Sequence, residues 1–360
     1  MRVAGRRYAP PEMGWSDSGK LLHRRDGQVG FEGNGQTLRL LTSLEAHTPG
    51  YGLDLARRTL LGVLKYPVAY SSVASRPVPR QVPLFSINWQ MWKPPKCYLD
   101  TEVDWVSWIL EPLSSKDREQ FQSHTLPTAW EVTDSGATRT TGKHGKSHCK
   151  SLDCSVMDVA DEIAYGVHDF EDGVALRLIT RKDWEESVAN ECDVAWAESV
   201  EMPSINELSE MLFGEGSDAS ARRKRAIGSL VNALVALVEI RADDAFDCPL
   251  LNYRAVFLEE AKRFQSALQR VIQDRIIRTP SVQTLEYRDQ INLLALFRAI
   301  ESDPTSLLGG AFRRKAAEIN DPNDYLRIIC DYVSGMTYEY ATKMFERLYV
   351  SRHGTVFDRL

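Results

Sequence analysis

The sequence predicts an all-α fold, and three observations carry that expectation. The clearest pattern in the chain is CSVMDVADEIAYGVHDFEDGV, Cys154 to Val174, which holds no Gly or Pro before Gly166 and repeats its apolar residues at helical spacing. Three long helical stretches, Tyr253–Ile277, Val282–Glu301 and Pro322–Tyr349, close the chain. Nowhere do apolar and polar residues alternate for long enough to imply a sheet.

The central stretch has two chemically distinct sides. At about 100° per residue, Val156, Val159, Ile163, Val167, Phe170 and Val174 fall within an arc of roughly 80°. Asp158, Asp161, Tyr165, His168, Asp169 and Asp172 gather within roughly 100° on the other side. One face packs a core. The other is either a plain solvated acidic face or a ligand surface, because neighbouring like charges repel and an acidic row interleaved with Tyr and His suits a cation or a polyhydroxyl compound. Periodicity leaves both readings open.

Ahead of it, the chain takes helical form from Phe31. Leu38, Leu40, Leu41 and Leu44 line one side of a helix ending near Glu45, with Glu32 and Asn34 at its start, where free backbone N–H groups gather. Capping is the plain reading for those two residues. Leu53 to Leu64 repeats the helical pattern, and Pro67 stops it, leaving Lys65 and Tyr66 at an exposed terminus. Residues 68–97 are irregular, with Phe85, Trp89 and Trp92. Helices are expected at Thr101–Leu113, with Trp105, Trp108 and Ile109 inward, and at Ser115–Ser123. The segment 134–150 is polar and basic. Its His144-x3-His148 and Cys149-x4-Cys154 spacings make a weak zinc pattern interrupted by lysines; a solvated loop is favoured, and a loop carrying Lys146, His148 and Lys150 to an anionic ligand comes next.

Beyond the central stretch, Leu176–Val200 and Ser204–Phe213 read as helical, with Trp184 and Trp196 as packing residues. Arg222, Arg223, Lys224 and Arg225 form a basic run at a helix start, a solvated turn or a nucleotide or nucleic-acid effector contact. Ala226–Ile240 is apolar enough for a core or an interface.

Composition narrows the function classes. A net charge of −6 over 360 residues argues against nucleic-acid binding by bulk charge, and 43% hydrophobic with 26% charged residues is ordinary for a globular protein. Six cysteines scattered through the chain, with no secretory leader, read as reduced thiols in a cytoplasm. No apolar run reaches the roughly 18 residues of a membrane span. A cytoplasmic protein is expected.

The segments GFEGNGQTLRLLTSLE from Gly30, RRTLLGVLKYP from Arg57, the central stretch, TPSVQTLEYRDQ from Thr279 and DYVSGMTYEYATKMFERL from Asp331 occur in this order. Together they resemble the deoxyguanosinetriphosphate triphosphohydrolase family of the His-Asp (HD) phosphohydrolase superfamily, from about residue 29 to the C-terminus. The resemblance implies an HD-domain-like helical bundle with long C-terminal helices, built as one domain over 30–360 with its metal and sugar helix at 154–174. It implies hydrolysis of a deoxynucleoside triphosphate, dGTP foremost, to deoxynucleoside and triphosphate, with Mg²⁺ or Mn²⁺, in a homo-oligomer. By the same resemblance, Asp161 is a metal ligand, Tyr165 lies against the deoxyribose, Asp169 accepts from the 3′-hydroxyl, and Lys65 and Tyr66 hold phosphates. Glu32, Asn34 and Lys150 are candidates for the pocket wall.

The sequence also departs from the family. The superfamily holds its metal with two His and two Asp, and Asp161 alone matches. Pro10, Pro11 and Gly14 are similar to the family's Gly/Pro-rich turn, but His23 is the only His before His47. Residues 1–29 are therefore expected to be a degenerate or truncated N-terminal segment, and the chain an impaired enzyme. The alternative is a catalytically silent nucleotide binder or oligomer partner. In the last helix, Tyr338 stands where the family usually has an acid.

Overall fold

The computed structural model describes residues 30–45, 47–75, 93–129, 131–132, 138–140, 142–192, 194–319 and 321–350, and these are mostly helical. Residues 1–29, with Pro10, Pro11, Gly14 and His23, lie outside them, as do Phe85, Trp89, Trp92 and the Trp196 side chain.

In chain order, α1 (Gly33–Arg39) starts at Glu32, whose carboxylate accepts the Asn34 and Gly35 N–H groups, and runs into a π turn at Leu40–Leu44. Next come α2 (Arg57–Val63), α3 (Val103–Leu110) and α4 (Ser115–Phe121). Strands β1 (Glu131–Val132) and β2 (Thr138–Thr140) pair ahead of the central helix α5 (Leu152–Ala175). Short helical turns lead to α6 (Ile205–Phe213) and α7 (Ala219–Ala236). Strands β3 (Val238–Ala242) and β4 (Tyr253–Phe257) pair antiparallel, Ile240 opposite Ala255. Four longer helices complete the fold: α8 (Glu259–Ile272), α9 (Pro280–Ser302), α10 (Pro322–Ser334) and α11 (Tyr338–Tyr349).

Several elements differ from their expected form. Tyr253–Ile277 is not one helix. Its first five residues form β4 against β3, and the Ala255 N–H donates to Ser155 Oγ at 2.8 Å, fastening the strand to α5. Alternation in Tyr-Arg-Ala-Val-Phe suits a strand half-buried against a helix, and α7 ends at Ala236, just before the pairing begins. Pro322–Tyr349 is two helices, parted at Gly335–Thr337, where the Thr337 hydroxyl caps α11. Leu176–Val200 breaks into short turns, with a capping box at Thr180 and Asp183. Trp108 is 40% exposed rather than inward, with the Arg57 guanidinium 4.3 Å from its ring centroid; Val106, Ile109 and Leu110 hold the core side of α3. Val156 is also exposed. It lies in the part of α5 that precedes the main core.

That core gathers Ile163, Val167, Phe170 and Val174 of α5 with Leu230 and Leu234 of α7 and Phe264 and Leu268 of α8. Trp184 is fully buried between Phe170 and Phe264, at centroid distances of 5.6 and 6.3 Å. A second cluster joins Leu38, Leu60, Leu61, Ile109, Phe121 and Leu251, and a third joins Leu296, Ile300, Ile329, Val333 and Met344. The burial on one side of α5 leaves its polar side outward. No helix among the described residues is long and apolar enough to cross a membrane.

Candidate nucleotide site

Ser151 starts α5. Its Oγ accepts the Cys154 N–H at 3.2 Å and donates to the Leu61 carbonyl at 3.2 Å, so the helix start is docked on α2. This joint brings two cationic side chains from separate places in the sequence onto one carboxylate. Asp158 accepts from Lys65, just past α2, at 2.6 Å, and from Lys150, just before α5. The Lys150 ammonium also lies 5.5 Å from the centroid of the Tyr66 ring, within cation–π range.

The electrostatics follow from that geometry. Burial alone would raise the Asp158 carboxyl, but hydrogen bonds and attraction from Lys150 and Lys65 outweigh it and hold it below its usual range. Burial alone would lower Lys65, and Asp158 likewise reverses that, keeping the ammonium charged. The cluster carries two cations against one anion, with all three side chains partly exposed. Net positive charge at an accessible joint between two helices suits an anionic ligand.

From Asp158 the row continues along α5. Asp161, Tyr165 and Asp169 recur at i, i+4 and i+8, hence on one face. The Asp161 side chain is exposed and makes no hydrogen bond or ion pair among the described residues. Tyr165 and Asp169 are half-buried. Burial raises the Asp169 carboxyl, and Asp172 adds to this more than His168 offsets. Burial, then Asp169, raises the Tyr165 phenol, against a hydrogen bond from Gln273, whose Nε2–H donates to Tyr165 Oη at 3.3 Å.

The other candidates stand apart from this row. Glu32 is fully buried and accepts from the Asn34 N–H and Nδ2 at 2.8 Å each, the Gly35 N–H at 2.9 Å and Lys96 Nζ at 2.8 Å. Glu32 therefore caps α1, with Asn34 donating to it from the first turn, and among the described residues no hydrogen bond or ion pair joins them to the α5 row. In the polar loop, His144 Nδ1 accepts from the Ser75 N–H and Nε2 lies 2.8 Å from the Lys93 carbonyl. The His148 ring faces Ser123. In the basic run, Arg222 pairs with Asp218 at 2.5 Å and Lys224 with Glu171 at 3.3 Å.

A divalent metal needs several hard or borderline ligands converging at about 2.0–2.2 Å. Among the described residues no three His, Cys, Asp or Glu side chains come together to hold an ion. The described residues do not by themselves fit a metal centre. Two participants carried too weak a signal for sequence reasoning: Asp158, one more acid in an acidic row, and Gln273, which reaches Tyr165 from more than a hundred residues away.

Residues 255–347 match the family model of the phosphohydrolase-associated domain. Over 356 residues, 97% of this chain and 75% of the relative, the sequence is 38% identical to a deoxyguanosinetriphosphate triphosphohydrolase-like protein of Shewanella sediminis (strain HAW-EB3). It is also 38% identical to deoxyguanosinetriphosphate triphosphohydrolase-like protein 1 of Vibrio cholerae serotype O1 (strain ATCC 39315 / El Tor Inaba N16961), covering 89% of this chain and 70% of that one. A protein of the same description in Aliivibrio fischeri (strain ATCC 700601 / ES114) is 38% identical over equal shares.

Proposed function

This chain belongs to the deoxyguanosinetriphosphate triphosphohydrolase-like family, and on that premise we propose that the joint of α2 and α5 is a deoxynucleoside triphosphate site. One observation carries the reading: Lys65, Tyr66 and Lys150 gather around Asp158 at the N-terminal end of the Asp161–Tyr165–Asp169 row. Each ammonium has three donors, so Lys65 and Lys150 can bond Asp158 and still turn donors to phosphate oxygens, with the Tyr66 hydroxyl beside them. About two turns along, roughly 10 Å, the row would meet the sugar. Tyr165 sets its ring against the deoxyribose where a 2′-hydroxyl would collide, and Asp169 accepts from the 3′-hydroxyl. dGTP is the first substrate to test, and the family reaction gives deoxynucleoside and triphosphate.

A divalent cation, Mg²⁺ or Mn²⁺, supplies Lewis-acid polarisation in such chemistry. Asp161 is the residue that would take part in holding it, and ligands beyond the described residues would have to complete the set. A second reading, in which the chain binds the nucleotide without turning it over, rests on the sequence, where Asp161 alone matches the superfamily's two-His, two-Asp set. A cytoplasmic homo-oligomer, assembled through the C-terminal helices, and a nucleic-acid effector at Arg222–Arg225 remain part of the proposal.

The test measures dGTP binding and, separately, triphosphate release with Mg²⁺ or Mn²⁺, using residues 1–360 and the Lys65→Ala and Asp161→Ala variants. Binding weakened about tenfold by Lys65→Ala, on the scale of one hydrogen bond to a charged group, supports the site. Unchanged binding in that variant removes it. Turnover abolished by Asp161→Ala would overturn the silent reading and show that other ligands complete the centre.

A further inference from the structure

We infer that Gln273 is the positioning residue that fixes the Tyr165 ring and so sets sugar discrimination; the inference rests on the reading of Tyr165 as the deoxyribose contact.

Tyr165 is only half-buried, and an aromatic ring on an exposed helix face has freedom about its side-chain torsions. A steric filter for one hydroxyl needs that freedom removed. The hydrogen bond from Gln273 Nε2 to the phenol oxygen, 3.3 Å long, reaches the ring at its far end, where a tether restricts rotation most. It also fills an acceptor site on the phenol oxygen and leaves the phenol's own proton to be donated elsewhere.

The segment behind Gln273 is built to hold that reach. Gln273 opens a π turn, Gln273–Ile277, that continues α8; the extra residue of such a turn changes which side chains face a neighbouring helix, and these turns recur at functional sites. Before the turn, Gln265, which is 2% exposed, donates to the Glu162 carbonyl across Gly166, the residue after Tyr165. Within the turn, past Gln273, Ile276 abuts Gly173, where an added Cβ would stand 2.8 Å from its Cδ1. Side chains on both sides of Gln273 are thus seated on α5. The donor is delivered from a braced segment rather than from a loose side chain on a loop.

The test uses the full chain in EDTA, so that binding is read apart from turnover, and measures the ratio of dGTP to GTP affinity. Gln273→Ala is expected to lower that ratio about fivefold, the worth of one neutral hydrogen bond. Tyr165→Phe, which removes only the hydroxyl and leaves packing intact, should give the same loss. The double variant should do no more than either single one, since both cut the same link. Tyr165→Phe also carries the test if Gln273→Ala fails to fold. A wild-type ratio in Gln273→Ala or Tyr165→Phe, with the ratio collapsed in Tyr165→Ala, overturns the inference and spares the sugar site. A wild-type ratio in Tyr165→Ala removes the sugar site, and the inference falls with it.

Discussion

Asp158 sits between the Lys65 and Lys150 ammoniums, so its charge state links stability to pH. Its folded carboxyl titrates below the ordinary aspartate value. A depressed folded value means that the unfolded chain binds the proton first as acid is added. The stabilisation is therefore complete above the unfolded value of about 3.9 and is lost as pH falls from there through the folded value. Asp158→Asn should abolish that part of the acid dependence and lower stability at neutral pH by about 1 kcal/mol, since the pair is partly exposed and screened. Urea melts of both proteins between pH 3 and pH 7 measure this; parallel curves for the two would show that Asp158 is not linked to its lysines in solution. Neighbouring acids differ. The Asp169 carboxyl is raised, not lowered, because burial and Asp172 act on it more than His168 offsets. Charge type was legible along this row in the sequence. Which acid had cations beside it was not, because Lys65 lies nearly a hundred positions from Asp158 and the α2–α5 joint alone makes them neighbours.

The central helix shows what periodicity can and cannot supply. Ile163, Val167, Phe170 and Val174 are buried as their spacing requires, yet Val156 on the same arc is exposed, since an arc describes a helix and not where its partners stop. The β3–β4 pair was missed for a related reason. Five-residue strands are short, and Tyr253–Phe257 runs straight into α8, so a helical reading absorbed it. Glycine inside α5 is informative in the same way. In isolation Gly166→Ala should gain about 1 kcal/mol of helix propensity, but the new Cβ would drive into the Gln265 amide. Gln265 is bonded to the Glu162 carbonyl and cannot swing aside without losing that bond. The net expectation is a destabilisation of about 1–2 kcal/mol, read as an earlier midpoint in urea. A stabilised variant would mean that α8 is not seated at Gly166. Ser155→Ala tests the other seam: it leaves the Ala255 N–H without its acceptor and should cost about 1–3 kcal/mol.

At the scale of the whole molecule, the first described helix and the matched C-terminal segment are joined by charge. Arg39 of α1 donates in a fork to Asp331 of α10, with Nε at 2.9 and 3.0 Å and Nη2 at 2.8 Å, and its Nη1 reaches Glu102 at 2.8 Å. Gln36 adds a bond to Asp331 at 3.0 Å, and Thr42 one to Glu102 at 3.0 Å. Asp331 and Glu102 are 3% and 1% exposed, so each carboxylate depends on these partners. Arg39 bridges the second apolar cluster, which holds Leu38, to the third, which holds Ile329 and Val333. Arg39→Ala would leave two buried carboxylates short of a cation, and breaking a buried pair from one side costs about 3–5 kcal/mol. Arg39→Lys should recover little, because an ammonium cannot fork onto Asp331 while reaching Glu102. Whether the loss is local or global tells how the molecule is coupled. If the C-terminal helices are held to the rest chiefly through this bridge, hydrogen exchange in Arg39→Ala should speed up across α10 and α11 while the amides of α5 near Phe170 keep most of their protection. An equal loss of protection in α5 and α10 would mean instead that the three clusters unfold as one cooperative unit, and that the polar face of α5 shares its stability with the C-terminal helices.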